Sequence, residues 1–319
     1  MIRRATAAAG LAATLLLGGC ATWLTPPQTA ALLAAPPPGL PAQVERTAVP
    51  FFPQERDHCG PAALATALAD IGLPADPDKL ADAVFLPSRG GSLQLEMLGG
   101  ARRQGAVATR LPRELNAVLA EVAAGHAVIV LQNLGLDLLP RWHYAVVVGY
   151  DLTARELILR SGTTARERLA LRTFEYTWAR GGRWAVTVLP PTTLAATATE
   201  AEALEAAIGF ERAAPPDRAA VAYRSLLQRW PGNLLAGIGL GNTLNAAGDP
   251  PAAQAAFQAV AERHDSAVAW INLARLKLDA GDRDGARSAA RRALQRAEIA
   301  EPPWRQAARD IVAATDAAR

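Results

Sequence analysis

Lysine is nearly absent from this sequence of 319 residues, and its scarcity bears on the class of protein. Lys79 and Lys277 are the only lysines, so the formal net charge of +3 rests almost entirely on arginine. The arginines are scattered among acidic residues, except for a group within residues 287–296 whose helical spacing indicates a solvated face. The sequence therefore lacks the basic stripe of a nucleic-acid-binding protein, and no nucleic-acid partner is expected.

Histidine and cysteine are also few, with four and two residues respectively. No His, Cys and Asp spacing suits a zinc site, and no glycine-rich dinucleotide fingerprint is found, so no metal or other cofactor is expected. Half of the residues are apolar and a fifth are charged, which is typical of a globular protein. The length accommodates two ordinary domains and a processed leader.

The first twenty residues have the order of an export signal. Arg3 and Arg4 form a positive start, and the apolar run of residues 5–17 is too short to span a bilayer. The run ends in Leu17-Gly18-Gly19-Cys20, which resembles the lipobox of bacterial lipoproteins. The resemblance implies a signal peptide at 1–19, cleaved before a lipidated Cys20. The alternative is an ordinary signal peptide with a chance cysteine.

Lipidation of Cys20 would determine where the protein is located and how its two cysteines are used. Ala21 follows Cys20, and in a Gram-negative host the lipoprotein sorting rules favour the outer membrane over an aspartate-type inner-membrane signal. We therefore expect a lipid-anchored protein of the bacterial cell envelope, at the periplasmic face of the outer membrane. Cys59 is then the only remaining thiol and has no disulfide partner.

Composition divides the mature chain into four segments. Residues 20–45 are rich in Pro and Ala and indicate a semi-extended spacer with at most a short helical turn. Residues 46–191 form a compact unit, 192–199 a linker, and 200–319 an Ala-rich helical region.

The compact unit changes its hydrophobic period halfway along. Four helices are predicted between Gly60 and Ala124. The following runs are short and rich in β-branched or aliphatic residues, and they predict strands at 127–132, 144–150, 156–159 and 184–189. Helices followed by a largely antiparallel sheet constitute an α+β fold.

The helical region repeats itself. Ala247-Gly248-Asp249 recurs as Ala280-Gly281-Asp282 after 33 residues, and a degenerate leading copy matches Tyr223 with Phe257. Small residues at fixed positions let paired helices approach closely, and the pattern over about residues 200–297 resembles tetratricopeptide repeats. The resemblance implies an all-α repeat domain that can recruit a protein partner. A generic Ala-rich helical bundle is the alternative.

Cys59 lies where reactive cysteines are found. It directly precedes Gly60-Pro61, a helix start, and the unpaired N–H groups and dipole of a helix N-terminus favour a thiolate. The alternative role is that of a small buried hydrophobe.

A thiol nucleophile needs a base, and few histidines are available. His58 is adjacent to Cys59 and its side chain diverges, His126 ends a loop, and His264 lies in the repeats. His143 directly precedes an apolar strand, which is a rigid platform for an imidazole. We therefore predict that Cys59 and His143 form a catalytic pair.

Three sequence blocks together resemble the bacteriocin-processing peptidase family. They are Gln54, the run Asp57-His58-Cys59-Gly60-Pro61-Ala62-Ala63-Leu64, and the run from His143 to Tyr150. These papain-like enzymes cut leader peptides after double glycine, and the resemblance covers about residues 46–189. It implies a papain-like cysteine-peptidase domain in which Gln54 and the Cys59 N–H form the oxyanion hole. A surface loop position is the alternative for Gln54.

The third catalytic member departs from the family pattern. The family usually has an Asp-Pro pair after the histidine strand, and this sequence has Leu159-Arg160-Ser161-Gly162. Asp151 and Asn133 are the candidates for orienting His143. Asp151 lies eight residues further along, about 26 Å in an extended strand, and this position is more typical of a turn residue.

The context also departs from the family, because no transmembrane bundle and no phosphate-binding loop follow the domain. We therefore expect a membrane-anchored cysteine peptidase whose repeats recruit a protein substrate or partner, rather than a leader-cutting exporter. The alternative is a catalytically inactive scaffold that binds a peptide within an envelope complex. A third possibility is transfer of the acyl group to an amine or lipid instead of water.

Overall fold

The computed structural model of the chain describes residues 25–54 and 58–317. The proposed signal peptide, Cys20 and Asp57 lie outside the described residues. Two compact units are present, and each consists of several chain segments. The first unit comprises the chain up to Gly100, Arg110–Val188 and Ala195–Thr197, and the second comprises Ala101–Thr109, Leu189–Leu194 and residues from Ala198 onward. Within the described ranges, no helix is long and apolar enough to cross a bilayer.

The first unit begins with a helix where the sequence predicts a semi-extended spacer. Helix α1 (Pro27–Ala34) has proline at its first position, and Leu32 is only 1 % exposed. The N–H groups of Gln28 and Thr29, which have no partner within the helix, donate to the Glu175 carboxylate at 3.0 and 2.5 Å. The spacer prediction is wrong for this segment, because a carboxylate far along the chain caps the helix.

Three further helices precede most of the sheet, as predicted. They are α2 (Cys59–Asp70), α3 (Pro77–Val84) and α4 (Gln94–Arg103). Residues from Gly60 to Leu68 are all buried, so α2 is a core helix with no solvent-facing side over these two turns. The side chain of Asp76 accepts from the N–H groups of Asp78 and Lys79 and so caps the N-terminus of α3.

The sheet of the first unit is antiparallel. Its strands are β1 (Gln43–Glu45), β3 (Val128–Asn133), β4 (Trp142–Asp151), β5 (Glu156–Ser161), β6 (Thr164–Ala170) and β7 (Ala185–Leu189), with β2 (Val107–Arg110) crossing the division between the units. Five strands lie in the order β7-β3-β4-β5-β6, and β1 pairs with β4. In the pairing of β3 with β4, Gln132 lies opposite His143.

Strand β4 is the centre of the core. Residues from Tyr144 to Tyr150 are buried, because α2 and α5 (Leu115–Ala123) pack against the strand while β3, β5 and β1 pair with it. A strand covered on both faces has a continuous apolar run rather than an alternating one, which explains its sequence.

Strand β6 and helix α6 (Leu171–Arg180) were not expected from the sequence. β6 ends this run of the sheet and is rich in charged residues, two of which pair across to other strands: Arg166 with Glu45 at 2.6 Å and Arg168 with Glu156 at 2.5 Å. Charged side chains are common on edge strands, and they obscure the alternation of apolar residues by which a strand is recognised in a sequence.

The second unit consists of successive helices. They are α7 (Glu200–Glu211), α8 (Pro216–Arg229), α9 (Leu234–Ala246), α10 (Pro250–His264), α11 (Ala267–Asp279), α12 (Arg283–Ile299) and α13 (Arg305–Ala317). Each helix contacts the next one along the chain. The α+β fold of the first unit and the all-α repeat fold of the second confirm the expected fold class.

The repeated Ala-Gly-Asp motifs have equivalent structural roles. Gly248 and Gly281 both have φ of +81°, and Asp249 and Asp282 each cap the following helix by accepting from the third N–H after them. A Cβ atom added at Gly241 would lie 2.5 Å from the Phe257 ring, so α9 and α10 approach too closely for a larger residue. Gly241 is therefore required for packing, whereas Gly248 and Gly281 are required for their backbone conformation.

We predict that Leu32→Ala destabilises the first unit by about 2–5 kcal/mol, because truncation of a buried leucine leaves a cavity. Leu33→Ala is the matched control, since Leu33 is only partly buried and should cost less than half as much. Urea unfolding of the mature chain measures both values. Equal effects of the two substitutions would mean that α1 does not dock in solution.

Candidate active site

Cys59 is the first residue of α2, as the sequence predicts. Its thiol is partly exposed and takes part in no disulfide within the described residues. The adjacent His58 ring packs edge-on against Phe85 with centroids 5.1 Å apart, so it is engaged elsewhere. Gly60 has no room for a side chain, because a Cβ atom there would lie 2.4 Å from Ser92 Oγ. The segment that carries Ser92 therefore packs directly against the helix start.

His143 is the second residue of β4 and is mostly buried. Its Nε2 atom lies 2.9 Å from Ser161 Oγ, at the end of the neighbouring strand β5. Burial lowers the pKa of His143 below its usual 6.5; the Glu167 charge opposes this shift and the Arg141 charge adds to it. The imidazole is therefore neutral at physiological pH, with Nε2 held by a hydroxyl.

One cavity brings the predicted residues together. It has a volume of about 1050 Å³, and Cys59, His143 and Gln54 all line it. The N–H of Gln54 donates to the Gly162 carbonyl at 3.0 Å, which fixes the glutamine beside the turn that follows Ser161. The three positions named from the sequence thus share a single site.

The side chain of Tyr144 links strand β4 to the segment that carries Ser92, and both line the cavity. Its hydroxyl donates to the Ser92 carbonyl at 3.2 Å. Burial raises the pKa of Tyr144 well above its usual range, and the charge of the nearby Cys59 raises it further. Through Tyr144, strand β4 therefore positions the loop at Ser92 and forms part of the surroundings of the Cys59 thiol.

Neither predicted orienter contacts His143. The Asp151 carboxylate accepts from the Ala154 N–H at 2.8 Å in the turn at the other end of β4. The Asn133 Oδ1 atom accepts from the N–H groups of Gly135 and Arg141 at 2.9 and 2.8 Å and so ties the β3–β4 loop. Ser161 holds the imidazole instead, which corrects both assignments.

Sequence reasoning missed Ser161 because it looked for a carboxylate. The signal was present, since Ser161 stands in the stretch where the resemblance places the family's aspartate. A hydroxyl at the end of the strand after the histidine strand can reach the same nitrogen, and the β4–β5 pairing brings it there.

The other histidines have separate environments. His126 Nδ1 lies 2.6 Å from a carboxylate oxygen of the buried Glu121, which also accepts from the N–H groups of Ala196 and Thr197. That carboxylate ties a later chain segment to α5, so His126 belongs to a structural cluster. His264 ends α10 in the second unit. Within the described part of the chain, no group of three or more acidic, histidine or cysteine residues is placed to hold a metal ion.

Comparison with known proteins agrees with the resemblance seen in the sequence. Residues 46–186 match the model of the Peptidase_C39 like family, and no curated protein matches the chain. The chain is also similar to the structure of a C39-like peptidase from Bacillus anthracis, at 18 % identity and a TM-score of 0.39, over 46 % of this chain and 97 % of that one.

Two other solved structures are similar to parts of the chain. The peptidase domain of Streptococcus ComA, a bifunctional ABC transporter, is 21 % identical with a TM-score of 0.37, over 44 % of this chain and 98 % of that one. The TPR2B domain of yeast Sti1 is 16 % identical with a TM-score of 0.35, over 38 % of this chain and 98 % of that one. The family match, over residues 46–186, lies mainly within the first unit.

We predict that Ser161→Asp raises the pKa of His143, because a carboxylate beside Nε2 stabilises the charged imidazole. NMR titration of the imidazole resonances, assigned with His143→Gln, measures the change. Thr163→Asp is the matched control, since it adds the same charge at an exposed position in the adjoining turn. Equal shifts in the two variants would show that Ser161 does not contact the imidazole.

Proposed function

We propose that the first unit is a cysteine peptidase that hydrolyses a peptide bond. The observation that carries the proposal is one cavity lined by Cys59, His143 and Gln54, with the cysteine at a helix N-terminus. The match of residues 46–186 to a peptidase family supports the same class of reaction. The three residue types are those that acyl transfer needs: a nucleophile, a base and an oxyanion donor.

The Ser161 hydroxyl can either accept from His143 Nε2 or donate to it, and the proposed reaction uses the first arrangement. In that tautomer Nε2–H donates to Ser161 Oγ, and Nδ1 accepts the proton of the Cys59 thiol. The thiolate attacks the peptide carbonyl, and the protonated imidazole then gives its proton to the leaving amine. Water, deprotonated by the same Nδ1, releases the acyl group from sulfur as a carboxylic acid.

The oxyanion of the tetrahedral intermediate needs donors that are already in place. The Gln54 side-chain amide and the Cys59 N–H at the N-terminus of α2 supply them in the proposed mechanism. The hydrogen bond from the Gln54 N–H to the Gly162 carbonyl holds the backbone of the glutamine beside the cavity.

A hydroxyl in place of a carboxylate changes the balance of charge. Ser161 orients the ring but adds no negative charge, so an imidazolium at His143 is less stabilised than in a Cys–His–Asp site. This difference favours a second candidate function, a peptide-binding scaffold with little or no hydrolysis. The two functions share the cavity and differ in the reactivity of Cys59.

Anchoring and recruitment complete the proposed function. Lipidated Cys20 would attach the protein to the periplasmic face of the outer membrane, which the lipobox-like sequence supports. The helical repeats would recruit a protein substrate or partner, and the repeat fold of the second unit supports this role. The substrate then reaches the peptidase in the cell envelope.

We predict that a peptidyl vinyl sulfone labels Cys59 in the mature wild-type protein. Folded Cys59→Ala and His143→Ala should lose labelling, because one lacks the nucleophile and the other its base. Intact mass spectrometry measures the adduct, and circular dichroism confirms folding. Alkylation of Cys59 by iodoacetamide without vinyl sulfone labelling would refute the peptidase and support the scaffold.

The same preparation tests the oxyanion donor. Gln54→Ala should weaken competition by a peptide aldehyde about tenfold or more, because the hemithioacetal oxygen loses a donor. Gln94→Ala is the matched control, since Gln94 also lines the cavity but is not assigned to the oxyanion. A stronger effect of Gln94→Ala would reassign the donor.

We predict that Cys20 carries the lipid. The full chain expressed in a Gram-negative host should incorporate a clickable palmitate analogue and fractionate with membranes. Cys20→Ser should lose both properties, while Cys59→Ser, the only other cysteine substitution, should keep them. Label retained by Cys20→Ser would exclude lipidation at this residue.

A further inference from the structure

The cavity that contains Cys59 and His143 has only positive formal charges among its described lining residues. Three arginines line it, Arg89, Arg141 and Arg180, and no aspartate or glutamate is among its described lining residues. The whole chain is nearly balanced, with 33 basic and 30 acidic residues. The charge of the cavity is therefore a local arrangement and does not follow from the composition.

The three arginines have no carboxylate partner within the described residues. Other arginines of the same unit do: Arg46 pairs with Asp70, Arg166 with Glu45 and Arg168 with Glu156. Arg180 donates to the Asn133 carbonyl at 3.0 and 3.3 Å, which fixes its guanidinium but leaves its charge uncompensated. Arg141 is close enough for its charge to lower the pKa of His143.

The arginines occupy two walls of the cavity. Arg89 belongs to the segment that continues through Gly90-Gly91 to Ser92, which packs against the start of α2 beside Cys59. Arg141 and Arg180 lie near the base of the β3–β4 loop, which leads to His143. There the Arg141 backbone N–H donates to the Asn133 side chain, and the Arg180 guanidinium donates to the Asn133 carbonyl. A peptide bound between Cys59 and His143 would run between these walls.

We propose that this cavity selects acidic peptides, with aspartate or glutamate side chains within a few residues of the bond that is cut. The selection rests on the proposed peptidase function, because it places those carboxylates close to the attacked carbonyl. A guanidinium binds a carboxylate through two parallel hydrogen bonds. A cavity of one sign also attracts the opposite charge from solution.

Two peptide probes that differ only in charge test the proposal. Acetyl-Ala-Glu-Glu-Gly-vinyl sulfone and its Gln-Gln counterpart are reacted with the mature protein, and the second-order labelling rates of Cys59 are compared. The Glu-Glu probe should react about fivefold faster or more at low salt, and the ratio should fall as NaCl screens the charges. Arg89→Gln and Arg141→Gln should each lower this ratio.

Arg172→Gln is the matched control, because it removes the same charge from an exposed position of α6 outside the cavity. It should leave the ratio unchanged. The rate of alkylation by iodoacetamide, which is neutral, is measured in every variant, so that a change in thiol reactivity is separated from a change in peptide selection.

The outcomes separate the two proposals. A labelling ratio near one in the wild type, with both probes on Cys59, would overturn acidic selection and leave the peptidase intact. If neither probe labels, binding of the corresponding peptide amides is measured by calorimetry. Tighter binding of the Glu-Glu amide, lost in Arg141→Gln, would support an acidic-peptide site without hydrolysis. Equal or absent binding of both amides would overturn it.

Discussion

The burial of β4 on both faces is the constraint on which the rest of the first unit depends. Its residues from Tyr144 to Tyr150 can leave water only if helices cover them and strands flank them, and α2 packs there. That packing brings the start of α2, with Cys59, towards the open end of β4, with His143. Apolar contacts between α2 and β4 therefore hold the site together. Its polar residues need contribute little to the packing of these two elements.

The polar surroundings then decide which charges the site can hold. Burial keeps His143 neutral, while the arginines among the described lining residues of the cavity would favour a negative charge on a bound peptide. Replacement of the usual carboxylate by a hydroxyl is therefore consistent with a site that takes its negative charge from the ligand. In a site with a buried carboxylate beside His143, an acidic peptide would meet repulsion as well as attraction.

Local signals placed Cys59 at a helix start and His143 at the edge of a buried strand, whereas Gln54 was assigned from the family resemblance. Local signals failed where the determinant lies far along the chain. The Gly60-Pro61 helix start and the apolar run after His143 are readable in short windows. The position of Ser161 beside His143 depends on the pairing of β4 with β5. The capping of α1 depends on the Glu175 carboxylate, nearly 150 residues away. The α+β pattern was readable because buried strands and helices differ in period, whereas the charged edge strand β6 gave no apolar period to read.

The docking of α1 would also limit how far the first unit can move from the proposed anchor. The capped helix begins at Pro27, and a chain of seven residue steps from Cys20 spans at most about 25 Å when fully extended. A free spacer running to residue 45 would reach several times further. Lipidation at Cys20 would therefore hold the N-terminal end of α1 close to the membrane surface, because Leu32 and Glu175 fix that helix to the unit. Such an anchor would limit the distance between the first unit and the membrane. The substrates most accessible to the proposed peptidase would then be those close to the membrane.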